Sequence, residues 1–274
     1  MRNHLALYSV LLITTFVPGL ARGVELKKKT AEAFDNYVRL TEERIDKEKT
    51  GPGFLYIDQL PESQRKALQQ RMVSGEVVID RVKTLDHGKE IEVPNGLIHH
   101  WRAIVFVPGG TLAKTIALVQ DYNNHERIYT PDVERSKLLH RDGNDFHILY
   151  RLRRKKVITV VMDTEYDVHY EPLGTKQMVS KSISSSIREI ENPGQANERA
   201  KPIGQDNGFM WRLNTYWHME EKNGGVYIQC EAVSLSRDIP TGIGWMISPF
   251  VESVPKESLM FTLGRTREAL LQRK

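Results

Sequence analysis

The chain has 274 residues, of which 40% are hydrophobic and 27% are charged. This composition is ordinary for a globular protein and excludes a chain that is disordered throughout. The formal net charge of +4 is too small to indicate a nucleic-acid partner. Cys230 is the single cysteine, so no intramolecular disulfide can form and the fold must be stabilised by packing.

Residues 1–23 have the layout of a secretory signal peptide. Arg2 precedes an apolar run over 5–17, which is too short to span a bilayer comfortably, and small residues follow. Cleavage fits after Ala21 or after Gly23, and the sequence does not choose between them. We therefore predict an exported protein, periplasmic or secreted, with an uncleaved N-terminal anchor as the alternative. Loss of residues 1–23 removes Arg2 and Arg22 and lowers the formal charge from +4 to +2.

Residues 24–74 are predicted to form a helical extension. Over 25–49, an amphipathic helix is predicted because apolar positions recur at helical spacing among charged residues, namely Phe34, Tyr37, Val38, Thr41 and Ile45. Gly51-Pro52-Gly53 ends this helix. A second short helix is predicted over 61–72, since proline at residue 61 suits the first helical turn.

Residues 75–274 are predicted to form a single α+β domain. Strands are expected at 77–79 and 97–107, followed by a helix over 112–119 and a polar helix and loop over 121–135. Five further strand-type runs indicate an antiparallel meander: 146–153, 157–170, 179–190, 211–220 and 225–236. The last 35 or so residues return to a helical pattern, which Pro249 and Pro255 should kink or split in two.

A long strand over 97–107, a short helix, a long antiparallel meander and a C-terminal apolar helix, in that order, resemble the helix-grip fold of the START-like (SRPBCC) superfamily. Residues 97–107 resemble the first long strand of that family, and 136–139 followed by Asp142-Gly143 resemble its next segment and turn. Residues 211–213 resemble the strand before the last hairpin, and 224–228 with Glu231 resemble the final strand. Residues 238–240 resemble the entry to the closing helix. The resemblance covers roughly residues 75–272 and depends on order and spacing.

This resemblance implies a curved antiparallel sheet wrapped on a long C-terminal helix, with an apolar pocket between them. It also implies that the protein binds, and in some relatives transfers, a hydrophobic small molecule or lipid. Some relatives are cyclases or hydrolases, so an enzyme of the same fold is the first alternative. A structural protein with a filled core is the second. No cofactor is implied, and oligomeric state and contact with a membrane surface are left open.

The predicted ligand-binding residues are those that strand alternation and helix spacing place on the pocket side. They are Ile148, Tyr150, Met162, Tyr166, Trp211, Leu213 and Cys230 from strands and Met246, Ile247 and Phe250 from the last helix. Each of these has the alternative of filling an ordinary core, because pockets and cores use the same residue types. No catalytic residue is assigned.

Other motifs are interpreted as structural. The basic run over 151–156 is typical of a solvated strand edge, with anionic lipid headgroups as the alternative partner. His99 and His100 are adjacent on a strand and point to opposite faces, so no metal site is predicted. Glu231 is the most interesting acidic residue; it is either solvent-facing or ion-paired across strands, or else it reaches the pocket.

Overall fold

The computed structural model describes residues 24–156, 158–239 and 244–272. The predicted signal peptide and its cleavage sites lie outside these residues. The helices are α1 (Lys28–Thr50), α2 (Glu62–Val73), α3 (Leu112–Val119), α4 (His125–Ile128) and α5 (Gly244–Gln272), with single 3-10 turns at Tyr56–Gln59 and Tyr122–Asn124. No described helix combines the length and the apolar character that crossing a bilayer requires.

The strands form one large antiparallel sheet and one small hairpin. The strands are β1 (Val78–Arg81), β2 (Leu85–Asp86), β3 (Lys89–Glu90), β4 (Gly96–Pro108), β5 (Val133–Asp142), β6 (Asp145–Lys155), β7 (Thr159–Pro172), β8 (Gln177–Glu191), β9 (Arg199–Ala200), β10 (Arg212–Lys222) and β11 (Gly225–Arg237). Along the large sheet the order is β1-β4-β11-β10-β8-β7-β6-β5, with β9 paired to β8. Strands β2 and β3 form the separate hairpin.

Hairpin connections explain most of this order. Strands β5 to β8 follow one another in the chain and pair with their neighbours in sequence. Asn223 and Gly224 both have positive φ, at 55° and 73°, as the two-residue turn between β10 and β11 requires. Helix α5 packs against β4 and β11. The curved sheet with this C-terminal helix is the predicted α+β helix-grip fold.

The two faces of the sheet carry different layers. On β11 the alternate residues Val226, Ile228 and Cys230 belong to the cluster that contains α3 and α5 residues, and we call this side the inner face. The residues that alternate with them along β11, including Tyr227 and Glu231, lie on the opposite side of the sheet, which we call the outer face.

The predicted N-terminal extension covers part of the outer face. Phe34, Tyr37 and Ile45 of α1 pack with Val233 and Leu235 of β11. Residues 54–57 and Met72 of α2 pack with residues of β4 and β11 next to them. The amphipathic stripe predicted for α1 is therefore the side that the protein buries. The division at residue 75 between extension and domain stays a prediction.

One expectation about elements was wrong, and for the last helix one of two predicted alternatives is excluded. The polar segment predicted over 121–135 ends in strand, because β5 begins at Val133 and runs to the turn before β6. The sequence of this strand lacks an apolar alternation because many of its side chains are charged and most are exposed at the sheet edge. The described backbone of α5 is one helix, so Pro249 and Pro255 do not split it in two, and a kink at these residues stays a prediction.

Candidate functional site: an apolar cavity between the sheet and the last helix

A cavity of about 290 Å³ lies between the inner face and α5. Its wall is made by residues of β4, β6, β7, β8, β10 and β11, by the segment over 119–133, and by residues 254–262 of α5. The volume is roughly twice that of an engineered ~150 Å³ apolar cavity that holds benzene. Among the described residues, the core therefore leaves a space of the size of a small organic molecule.

Six of the predicted ligand-binding residues form part of this wall: Ile148, Tyr150, Met162, Tyr166, Leu213 and Cys230. They lie there because alternation along β6, β7, β10 and β11 turns every second side chain inward. On β7 the whole set from Val160 to Tyr170 follows this rule. Their contact with a ligand stays a prediction.

Trp211 lies elsewhere, which corrects its predicted place. It packs with the cluster under α1 on the outer face, and its indole nitrogen donates a hydrogen bond to Asp206 at 3.2 Å. The strand begins one residue later, at Arg212, so alternation does not govern residue 211. The side chains of the other three predicted residues, Met246, Ile247 and Phe250, lie outside the described part of the structure.

Sequence reasoning missed the aromatic end of the cavity. Tyr122, His125 and Tyr129 come from the short helical segment after α3, and Tyr170 comes from β7. The signal was present as three aromatic or histidine residues, Tyr122, His125 and Tyr129, within the segment predicted as a polar helix and loop over 121–135. It was not used because that segment reads as polar.

Hydrogen bonds tie these aromatic side chains to one another and to the backbone. The hydroxyls of Tyr122 and Tyr170 are 2.6 Å apart. His125 contacts the Tyr150 hydroxyl through Nδ1 at 2.7 Å and the Leu118 carbonyl through Nε2 at 3.1 Å. Burial raises the pKa of Tyr166 to about 12 and those of Tyr122 and Tyr150 well above their usual value. These phenols therefore keep their protons at neutral pH.

The charged residues of the wall form an ion pair. Arg154, near the end of β6, pairs with Asp132, and its guanidinium carbon lies 5.8 Å from the centre of the Phe261 ring of α5. Burial lowers the pKa of Arg154 to about 10, so it stays charged at neutral pH. This pair lies where the β6–β7 end of the sheet meets α5.

His99 and His100 lie on opposite faces of β4, as predicted. His99 lines the cavity and contacts the Ser236 hydroxyl at 2.9 Å. Burial, with the charge of Arg81, lowers the pKa of His99 to about 4, so it is neutral at pH 7. Within the described residues, no three His, Cys, Asp or Glu side chains are grouped so that they could hold a metal ion.

Glu231 belongs to the outer face, where it is 1% exposed. Its carboxylate pairs with Arg44 of α1 and lies 2.6 Å from Nε2 of His100. Nδ1 of His100 contacts the hydroxyl of Tyr37 at 2.9 Å. Burial alone would raise the pKa of Glu231, but the hydrogen bond from His100 and the charge of Arg44 outweigh it and lower this pKa to about 2. Glu231 is therefore neither solvent-facing nor in the cavity; it anchors α1 to the sheet.

The basic run over 151–156 is largely neutralised by acidic partners. Arg151 donates to Asp163 at 2.7 Å and to Glu198 at 2.7 Å, and Arg153 pairs with Glu134. Arg154 pairs with Asp132, as described above, and Lys156 pairs with Glu257 at 2.6 Å. The run is therefore ion-paired, but the prediction of a solvated strand edge was wrong, because most of the run belongs to β6, which lies between β5 and β7 in the sheet.

Comparison with known proteins finds similarity in solved structures alone. No family model and no curated protein matches the chain. An aromatase/cyclase, Zhui from Streptomyces sp. R1128, is 10% identical, with 65% of this chain and 96% of that chain covered and a TM-score of 0.47. A STAR-related lipid transfer protein from Xanthomonas axonopodis is 15% identical, with 70% and 98% covered and a TM-score of 0.46. The lipid transfer and protein localization domain of human StarD13 is 10% identical, with 77% and 98% covered and a TM-score of 0.43. At these values, none of the three decides what this chain binds.

Proposed function

We propose that this protein binds a hydrophobic small molecule or lipid in the cavity between the sheet and α5. The observation that supports this function best is the cavity itself, because its wall is mainly apolar and a protein core is normally packed without such space. Each Å² of apolar surface that a ligand buries there contributes roughly 25 cal/mol to binding.

An enzyme of the same fold has less support. A cyclase or hydrolase needs ionisable groups that converge on the substrate with capacity to move a proton. In the described wall, Arg154 is paired with Asp132, and His125 is held between Tyr150 and the Leu118 carbonyl. The cavity also argues against a structural protein with a filled core.

The proposal includes export. Its support is the sequence of residues 1–23, with Arg2, an apolar run and small residues near Ala21 to Gly23. The mature chain would then begin close to α1. Purification from periplasm or culture medium, followed by N-terminal sequencing, tests this part separately.

Native mass spectrometry of the mature protein from its own host tests the binding function. We expect a stoichiometric hydrophobic compound that organic extraction releases and identifies. If the protein is obtained with a clean apo mass and no lipid or hydrophobic panel member changes its thermal stability, the proposed function is wrong.

A pair of neighbouring substitutions makes the test specific for the cavity. Ser182 lines the cavity, whereas Ile183 next to it on β8 is 38% exposed. Ser182→Trp should fill the space and abolish ligand binding, at a stability cost of about 1–3 kcal/mol. Ile183→Trp is the matched control and should leave binding unchanged. Equal loss of binding in both variants would contradict a site inside the cavity.

A further inference from the structure

The one arginine and the one aspartate in the described cavity wall form an ion pair. The positive charge of Arg154 faces the negative charge of Asp132, and His99 is neutral at pH 7 because burial lowers its pKa to about 4. The tyrosines keep their protons, as shown above. An anionic ligand would therefore enter without an unpaired cation to receive it, and burying an unpaired charge carries a large free-energy cost.

The aromatic end of the cavity presents oxygen lone pairs. The Leu118 carbonyl can only accept, so Nε2 of His125 carries a hydrogen, and in that tautomer Nδ1 accepts from the Tyr150 hydroxyl. The Tyr150 hydroxyl thus donates its hydrogen to His125 and not to a ligand. Its oxygen keeps the capacity to accept a hydrogen bond from a ligand.

The directions of the hydrogen bonds can be assigned in the same way for the second pair of phenols, Tyr122 and Tyr170. Tyr170 donates to the Val119 carbonyl at 3.3 Å, so in the 2.6 Å contact between the two hydroxyls Tyr122 is the donor. The Tyr122 oxygen also keeps acceptor capacity. The rings of Tyr122 and Tyr150 lie 6.5 Å apart between centroids, so the two acceptors belong to one end of the cavity.

Neutral hydroxyl groups are the other polar feature of the wall. Ser180, Ser182 and Ser234 lie on the inner face of β8 and β11 and line the cavity. A hydroxyl can both donate and accept, so a ligand hydroxyl can donate to a phenol oxygen and accept from a protein hydroxyl. A carboxylate can only accept.

Building on the proposed binding function, we propose that the cavity selects uncharged hydrophobic molecules that carry a hydroxyl group and discriminates against carboxylates. The ligand's hydroxyl would lie at the end walled by Tyr122 and Tyr150. Its apolar part would fill the space along β7 and α5.

Three probes of equal chain length test this selectivity by isothermal titration calorimetry on the mature protein. They are decanol, decyl methyl ether, which cannot donate, and decanoate. Decanol should bind roughly 3- to 10-fold more tightly than the ether, as one net hydrogen bond allows. At neutral pH, decanoate should bind at least about 100-fold more weakly than decanol. Lowering the pH should tighten decanoate binding, because the protonated acid is neutral and can donate.

The outcomes separate this inference from the binding function. If none of the three probes binds to the unmodified protein, so that its titrations are the same as those of the Ser182→Trp protein, the proposed binding function is wrong. If decanoate binds as tightly as decanol, or the ether matches decanol, the cavity binds ligands but the selectivity proposed here is wrong.

Tyrosine variants test where in the cavity the hydroxyl group of the ligand binds. Tyr150→Phe and Tyr122→Phe should each reduce the preference for decanol over the ether towards one, while affinity for the ether changes little. Tyr227→Phe is the matched control, because Tyr227 is a buried tyrosine of β11 that packs with Phe106 on the outer face. An unchanged preference in both cavity variants, with their folding verified by circular dichroism, would overturn the placement.

Discussion

The inner and outer faces of the same strands are built in different ways. Cys230 and Glu231 are neighbours on β11 and each is 1% exposed, yet the first lines an apolar cavity and the second joins a network of ionic groups. His99 and His100 repeat the contrast on β4. On the inner face the polar groups are mainly hydroxyls and space remains, whereas on the outer face charged groups contact one another and hold α1.

This difference indicates that a buried acid on a strand that also lines a cavity can have a structural role. Glu231, His100 and Arg44 have the residue types of a catalytic site and the strongly lowered pKa of Glu231 that such sites often show. Their position under α1 gives them a different role. They join the N-terminal extension to the sheet, while the cavity on the other face is free of them.

The largest expected effect is that of Glu231→Gln. The substitution removes the buried carboxylate from Arg44 and His100, and breaking a buried ion pair typically costs about 3–5 kcal/mol. Chemical denaturation should show a loss of this size in the free energy of unfolding. Affinity for a cavity ligand should stay unchanged in the folded protein.

Glu171→Gln is the matched control for Glu231. Glu171 pairs with Lys49 of α1 at 2.8 Å, but it is 43% exposed, so its removal should cost no more than about 1 kcal/mol. A Glu231→Gln protein with normal stability but lost ligand affinity would show that Glu231 acts on the cavity, and would break the contrast between the faces.

A second effect concerns acid stability and depends on His218. This residue is 1% exposed on the outer face and stacks edge-on against Phe54 at 5.1 Å. Burial lowers its pKa to about 4; the charges of Arg44, Lys49 and Arg102 act in the same direction and Glu231 acts in the opposite one. The unfolded chain therefore takes up a proton near pH 6.5 that the folded protein accepts only near pH 4.

The sign of the pH dependence follows from this lowered pKa. The contribution of neutral His218 is fully present above about pH 6.5 and is lost as the pH falls towards 4, at a cost of about 3 kcal/mol. His218→Phe should remove this part of the slope when unfolding is measured between pH 7 and pH 4. His99→Phe should remove a similar slope on the inner face, but it should also change ligand affinity. An unaltered slope in His218→Phe would contradict a buried neutral histidine at this position.

Much of the fold was predictable because periodicity and turn chemistry are local. The stripe on α1 and the alternation on β7 each depend on a few neighbouring residues, and both are found in the structure. Strand β5 was missed because an exposed edge strand carries little apolar signal.

The site was predictable only in part, because a local pattern shows which side of a strand a residue is on but not its distant partners. Alternation placed Ile148, Met162 and Leu213 on the cavity side, but it failed for Trp211, which precedes its strand. The partners of Tyr150 and Glu231 are His125 and Arg44, which lie 25 and 187 residues away in the chain. Contacts over such distances depend on the sheet order, which no local pattern contains.

The smallest expected effect concerns the basic run and the membrane. Lys156 pairs with Glu257 at the surface, with 34% and 49% of the two side chains exposed. Lys156→Ala should change the free energy of unfolding by less than about 1 kcal/mol. It should also leave sedimentation with anionic vesicles unchanged, because the acidic partners already neutralise most of the run.

Glu257→Ala is the informative counterpart. It frees the charge of Lys156, so any affinity for anionic vesicles should increase, by up to about 1 kcal/mol for one added charge. If instead the unmodified protein binds anionic vesicles tightly and Lys156→Ala weakens that binding several-fold, the ion pairs do not mask the run. The β6–β7 end of the sheet, where Arg154 meets the cavity wall, would then be a membrane-contact surface as well as one end of the ligand site.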